Sequence, residues 1–396
     1  MMRKFNFKTI TAFVFISFII ITGILTLTVN FKMVFGGLYR GYVNTNKDAG
    51  INEKIVNSLK EFDNRTSIYY IAHDYCIDCY GAIQNALKRT YTEDVSTDYS
   101  VLKLNNDYLT FHHISSQQKP DEITENRFAD YLSCMNDVCK SYSGNLCYVS
   151  VTDKLGNDTS QFPKNLPFEK SIDNTINEIE ERNVSVLDIN KKIEEQYNDR
   201  YSLYFKTDHH WKPSTGIWVA GEIAEKLNSD FGYSIDLANY DIANYNIETY
   251  HNHFLGTEGT RMGKLYVGKE DFDVITPKFD TNLNYIVEES NIHKIGTFKE
   301  TMIFEDVIKD KLSTPYKTYM FGNHGILNII NNNVNNDKKA LIVMNSYGCV
   351  VAPYLSLSFK QTDCIDIRDT DKNVIEYIKE TEPDIVIYMI SYTTQY

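Results

Sequence analysis

A positive face is what this chain most plainly lacks. Across 396 residues, 40 Lys and Arg stand against 53 Asp and Glu, a formal net charge of −13. Proteins that hold nucleic acid need a basic patch or stripe, so that class is excluded and tight binding to any polyanion is disfavoured. Tryptophan is also scarce, at two residues against 29 Tyr and 21 Phe. Tyrosine-rich surfaces suit sugar stacking, but AT-rich coding is the simpler source of that richness. Hydrophobic content of 42% and charged content of 23% are those of an ordinary globular protein.

A cleavage site is missing too. Arg3, Lys4 and Lys8 precede a run without charge from Thr9 to Val29. Such a run suffices to cross a hydrocarbon core of roughly 30 Å. No small-x-small site follows Leu25, so the run is read as a retained signal-anchor rather than a cleaved signal. The flanking positive charges place the N-terminus inside and the rest outside. The expected organisation is a cytoplasmic end (1–8), a transmembrane helix (9–29), a juxtamembrane stalk (30–68) and an extracytoplasmic domain (69–396).

The cysteines number seven, all beyond the anchor. Cys76 and Cys79 form "CIDC", but no tryptophan precedes it, which argues against a redox motif. Export favours a disulfide among Cys76, Cys79, Cys134, Cys139 and Cys147. A zinc site from Cys76, Cys79, Cys134 and Cys139 is the weaker alternative.

Hydrophobic patterning then gives the architecture. "LCYVSV" (146–151) and "VSVLDI" (184–189) read as strands, and Ile172, Ile176 and Ile179 share a helical face between them. "YSLYFKT" (201–207) reads as a strand that delivers "DHHW". The helix after it, "PSTGIWVAGEIAEKLNS", turns Ile217, Ala220, Ile223, Ala224 and Leu227 inward. At the C-terminal end, "KALIVMNS", "TDCIDIRD" and "DIVIYMISY" are strands separated by a helical segment interrupted at Pro353 and by a helix running from Asp371 to Pro383. Alternating strands and helices give a mainly parallel sheet with right-handed crossovers. Residues 230–335 are polar and read as a functional loop region followed by an asparagine-rich connection.

Reactive residues of a parallel sheet collect beyond the carboxyl ends of its strands. Ser346 follows "ALIVM" at a strand-to-helix turn, where free N–H groups would stabilise an oxyanion. A serine needs a base, and the base needs an orienting group. His210 and Asp208, two residues apart at another strand end, supply that pair. Taken singly, Ser346 is a helix cap and Asp208 a turn residue; their joint occurrence is what points to chemistry.

"KTDHHWKP", followed far downstream by "VMNSYGCVVAPYL", resembles the DHHW/DHHY family, which is related to the SGNH-hydrolase-like domains of the alginate O-acetyltransferases. "LKLNNDYLTFHH", "FLGTEGTRMGKLYVGKEDFD" and "YMFGNHGIL" follow in that family's order, so the likeness covers roughly residues 70–396. It implies an α/β, SGNH-hydrolase-like three-layer sandwich in which Asp-x-His precedes the serine, a circularly permuted motif order. It implies Ser346 as nucleophile, His210 as base and Asp208 as its partner. Asn323 and His324 would complete a substrate or oxyanion pocket. Arg261 would bind a glycan hydroxyl or carboxylate, or pair with Glu258. Trp211 would stack on a sugar or pack against the following helix. Cys349, one turn after Ser346, is expected to be a small buried apolar residue. Before the serine, where the family carries Asp or Gly-Thr-like residues, stands Asn345, which hydrogen-bonds but holds no charge.

The expected function is a membrane-anchored extracytoplasmic O-acetyltransferase or acetylesterase acting on a cell-surface or secreted polysaccharide through an acyl-enzyme. No cofactor is needed, and the implied partner is a multipass membrane acyltransferase that supplies acetyl groups. One alternative is a non-catalytic glycan-binding or scaffold protein. Another is a metal-dependent phosphoesterase with Asp208, His209 and His210 as ligands. That class needs further Asp or His ligands; His251 and His253 form another tight pair.

Overall fold

In the computed structural model of the chain, the described residues are 7–45, 49–93, 100–111, 122–156, 158, 160–164, 174–309 and 314–390. Arg3, Lys4 and Ile172 lie outside them. The chain divides into two compact units, Met1–Lys88 with Met262–Tyr266, and Arg89–Arg261 with Val267–Tyr396.

The first unit is helical. Helix Phe7–Val29 contains a stretch, Ile10–Val29, long and apolar enough to cross a membrane, with mean hydropathy 2.5. The expected stalk region forms helices Phe31–Val43 and Ile51–Ile68. Their backbones approach closely because Gly41 faces the second helix: a Cβ there would lie 2.5 Å from the Asn57 carbonyl oxygen. Helix His73–Ala86 carries Cys76 and Cys79 as exposed thiols. All seven cysteines are free, so the expected disulfide does not form. Cys139 and Cys147, adjacent in sequence terms, sit in different hydrophobic clusters.

The second unit is built on strands numbered here in chain order. Strands β1 (Tyr91–Thr92), β2 (Val101–Lys103) and β3 (Leu109–Phe111) form a small antiparallel sheet. The main sheet draws on β4 (Asn145–Ser150) and β5 (Ser185–Asp188). A separate hairpin is made by β6 (Tyr245–Phe254) and β7 (Glu270–Pro277). The main sheet resumes with β8 (Leu283–Val287), β9 (Ile292–Gly296), β10 (Ile326–Asn331), β11 (Lys339–Met344), β12 (Gln361–Ile365) and β13 (Ile385–Met389). Its order is β5-β4-β13-β11-β12-β10-β8-β9. The five strands from β5 to β12 are parallel and the remaining three antiparallel.

Period-2 alternation makes the layers. Ala340, Ile342 and Met344 of β11 enter one hydrophobic cluster, and Leu341 and Val343 enter another. Strands β4 and β13 split in the same way. A sheet apolar on both faces must be covered on both, and the result is three layers. Helix Pro213–Phe231 covers one face with the expected Ile217, Ala220, Ile223, Ala224 and Leu227, all buried. Helix Glu122–Ser141 contributes Phe128, Leu132 and Met135 to the other.

Three expectations need correction. Residues 201–207 are not a strand: a 3-10 turn spans Arg200–Leu203, and Tyr204 bridges Trp211 across a loop closed on itself. Tyr201, Leu203, Tyr204 and Phe205 are all buried, and an apolar run that short does not distinguish strand from turn. Residues 230–335 are not mainly loop but hold the hairpin and the antiparallel extension. Their strands face solvent on one side, so their polar positions masked the pattern; β8 alternates buried and half-buried residues along its length. The last helix starts at Asn373 rather than Asp371, because the Asn373 side chain accepts from the Ile375 and Glu376 N–H groups.

Candidate active site

Strand β11 ends at Met344, and the chain turns at once into a 3-10 turn, Ser346–Val350. Asn345 caps it: its Oδ1 accepts from the Tyr347 N–H at 3.1 Å, and its carbonyl accepts from Gly348 at 2.9 Å. The cap leaves Ser346 half-buried at the surface while its neighbours are buried. Gly348 is required by Met344, whose Sδ would lie 2.5 Å from a Cβ.

The DHHW loop closes over this turn. Phe205 N–H donates to the His210 carbonyl and Lys212 N–H to that of Leu203. The Tyr347 hydroxyl donates to the His209 carbonyl at 2.9 Å, and Trp211 Nε1 donates to the Tyr347 carbonyl at 3.0 Å. Trp211 is fully buried and sets its ring edge-on to Tyr347. It therefore braces the serine turn, and the sugar-stacking alternative is withdrawn for want of an exposed face.

These constraints bring Asp208, His210 and Ser346 together. The Ser346 hydroxyl lies 2.7 Å from His210 Nε2, and His210 Nδ1 lies 2.5 Å from Asp208 Oδ1. Asp208 Oδ1 also accepts the His210 backbone N–H at 2.9 Å. The other oxygen, Oδ2, accepts from the Thr257 N–H at 2.6 Å and its hydroxyl at 3.0 Å. Burial works against the charge of Asp208, but the two histidine rings and these bonds outweigh it and hold the carboxyl well below the usual range. Burial and the His209 ring push His210 below its ordinary value, against the opposing pull of Asp208. The Tyr316 ring stacks on the His210 ring, with centroids 4.2 Å apart and planes at 20°.

Sequence reasoning missed the clamp that holds this loop. Glu270 accepts from the Lys206 N–H, the Thr207 N–H and the Thr207 hydroxyl, at 2.8, 2.7 and 2.6 Å. Gly256 N–H donates to Thr207 Oγ1 and Gly259 N–H to the Thr207 carbonyl. The fully buried Lys154 donates to the Leu109 and Phe205 carbonyls. The glycines of "GTEG" were a visible signal; Tyr316 and Lys154 carried none.

The remaining candidates are dispersed. His209 lies beside the pair: its ring centroid is 3.9 Å from that of His210, and its Nδ1 is 3.7 Å from both Asp208 Oδ1 and Glu258 Oε2. Burial opposes charge on His209, but the two carboxylates prevail and raise its pKa. Arg261 lies over the Phe111 ring. Asn323 Oδ1 accepts from Cys349 Sγ at 3.0 Å, which sets its loop against the serine turn. Cys349 is buried as expected, and burial pushes its thiol up to about 12. His324 Nε2 is engaged with the Tyr285 hydroxyl and the Met320 carbonyl.

Among the described residues, Asp208, His209 and His210 are the group whose ligand atoms cluster closely enough for a metal, within 4.8 Å of one another. They fit one poorly. Both oxygens of Asp208 accept bonds from protein donors, and both ring nitrogens of His210 are engaged.

The fold is that of an SGNH-hydrolase-like α/β protein. The family profile described as the SGNH hydrolase-like domain of acetyltransferase AlgX matches residues 141–254. Several solved structures share the fold. PatB1 of Bacillus cereus with a sulfonyl adduct is 18% identical, with a TM-score of 0.59 over 74% of this chain and 94% of its own. A DHHW family protein from Eubacterium siraeum is 21% identical, with a TM-score of 0.58 over 77% of this chain and 95% of its own. The resemblance to the DHHW group is thereby borne out. No curated protein matches the sequence.

Proposed function

We propose that this chain is a membrane-anchored, extracytoplasmic serine O-acetyltransferase or acetylesterase that acts on a cell-surface or secreted polysaccharide. The observation that carries the reading is the hydrogen-bonded line from Asp208 through His210 to Ser346, half-exposed at the carboxyl end of β11. The match to an acetyltransferase domain profile supports acetyl as the group moved. Helix Phe7–Val29 supports the anchor. In this reading Ser346 Oγ attacks the acetyl carbonyl while His210 Nε2 takes its proton. The C–O bond of the donor breaks, the imidazolium returns the proton to the departing alcohol, and acetyl-Ser346 remains. A sugar hydroxyl or water, deprotonated by the same nitrogen, then takes the acetyl group. Asp208 holds the ring tautomer and stabilises the imidazolium. Asn323 is the proposed side-chain donor to the oxyanion; its amide oxygen is taken by Cys349, so its NH2 group is what it has to offer. The acetyl source is proposed to be a multipass membrane acyltransferase.

PatB1 is described with a sulfonyl adduct, which suggests the reagent. A sulfonyl fluoride or fluorophosphonate is expected to label the wild-type protein at Ser346, and Ser346→Ala is expected to lose both labelling and p-nitrophenyl acetate hydrolysis while remaining folded. Undiminished hydrolysis by a folded Ser346→Ala protein overturns the acyl-enzyme. A wild-type protein that binds glycan but never acylates points instead to a scaffold role.

A further inference from the structure

We propose that Phe321, on the segment that also carries Tyr316 and Asn323, is a stacking platform for a pyranose ring of the acceptor glycan. The inference rests on the acetyl-transfer reading and adds the subsite that would hold the acceptor.

The starting point is backbone strain. Met320, Phe321 and Gly322 are three consecutive residues in the left-handed region, with φ of +57°, +59° and +86°. Glycine takes that conformation freely, but Met and Phe do so at a cost in free energy. Such strain persists only where the surroundings over-determine it. Here they do. Met320 N–H donates to the Met302 carbonyl at 2.9 Å. The Tyr285 hydroxyl donates to the Met320 carbonyl at 2.6 Å, and the His324 Nε2–H is shared between that carbonyl and that hydroxyl, each at 2.8 Å. Asp366 N–H donates to the His324 carbonyl.

The product of this arrangement is an aromatic ring held out of the core. Phe321 is 48% exposed, although Tyr319 and Met320 beside it are fully buried. It is not loose: its ring lies 5.2 Å from that of Phe304 and parallel to that of His324, at 19°. Lys294 Nζ caps Phe304 at 3.7 Å from the ring centroid. The flat apolar surface suits the face of a sugar ring, which presents C–H groups there and hydroxyls at its edge.

Its location ties it to the reaction. The chain segment that carries Phe321 touches the site at both ends: Tyr316 stacks on His210, and Asn323 accepts from Cys349, three residues after Ser346. A glycan held on Phe321 is proposed to present its hydroxyls to the acyl group on Ser346, so that the platform selects which of them reacts.

Calorimetric titration with two uncharged probes, chitotetraose and cellotetraose, tests this. One aromatic contact accounts for about a 3- to 10-fold change in affinity. Phe321→Ala should weaken binding by that factor, and Phe321→Trp should restore it. Phe321→Asn removes the ring but suits the left-handed backbone, so it should lose the same affinity while its melting temperature rises. That opposition of binding and stability separates a platform from a packing residue. Preference for either probe supports the platform if Phe321→Asn abolishes it. Binding of neither probe by the wild-type protein, or equal binding by wild type and Phe321→Asn, overturns it. Labelling of Ser346 by a fluorophosphonate is scored separately, so failure of the platform and failure of the acetyl-transfer reading are told apart.

Discussion

Gly256→Ala tests whether the clamp on Asp208 matters to chemistry. Gly256 donates to Thr207 Oγ1 at 2.9 Å, in the segment whose next residue supplies both bonds to Asp208 Oδ2. A Cβ at position 256 would lie 2.2 Å from Asp208 Cβ and 2.5 Å from the Thr207 carbonyl oxygen. Neither is the end of a flexible chain, so the segment or the loop must move by about 1 Å to restore ordinary contact. Overpacking of this kind costs about 1–3 kcal/mol in stability. The kinetic cost is expected to be larger, because a misplacement of about 1 Å lowers rates on the order of 100-fold. The expectation is a folded protein whose kcat/KM for p-nitrophenyl acetate falls by about two orders of magnitude. Thr257→Val is the graded companion. It removes only the hydroxyl bond and keeps the backbone N–H, so it should cost up to about tenfold. The measurements are steady-state kinetics and thermal melting on each variant. A folded Gly256→Ala protein with wild-type kcat/KM would show that the position of Asp208 is not limiting.

The pH dependence has a defined sign. The base acts unprotonated and burial lowers His210 below its ordinary 6.5, so kcat/KM should rise with pH through a midpoint below 6.5 and be level by neutrality; a midpoint above that value refutes the neutral-base argument. The His209 ring contributes to this lowering, so His209→Gln should move the acid limb upward, and an unmoved limb would remove His209 from the electrostatics of the site. His210→Ala should fall about as far as Ser346→Ala, because nucleophile and base act as a unit. His209→Ala should fall much less, and EDTA should leave the wild-type rate unchanged. Equal loss from either histidine together with inhibition by chelator would restore the metal reading.

What was legible in the sequence was the part governed by burial on both faces. Strands β4, β11 and β13 are nearly continuous apolar runs, and helix Pro213–Phe231 shows a clean 3.6-residue stripe, so their types and the parallel order followed from pattern alone. The antiparallel extension did not announce itself: β9 alternates half-buried and exposed residues and buries none fully, which looks like loop. Asp208, His210 and Ser346 could be named because an Asp-x-His pair and a strand-end serine are recognisable together, although the strand expected to deliver Asp208 and His210 is a 3-10 turn and loop. Tyr316 could not, since its stacking on His210 depends on a 3-10 turn, Pro315–Thr318, 106 positions further along in sequence. The disulfide expectation came from an expected compartment rather than from geometry, and the seven free cysteines do not match it.

Asn345 illustrates how a departure in sequence resolves into a requirement of structure. A residue that cannot carry charge stands where the resembling family carries Asp or Gly-Thr-like residues, which alone would suggest a weakened site. The side chain, however, is 4% exposed and its oxygen is spent on the Tyr347 N–H. That is the work of an N-cap, which Asn and Asp perform about equally well. An ionised carboxylate in so buried a place would carry a desolvation cost that the amide avoids. The charge that orients His210 comes from Asp208, which has four protein donors arranged around its two oxygens. The charge that orients His210 and the turn-forming cap are therefore divided between two residues, and neutrality at Asn345 leaves the first where Asp208 holds it.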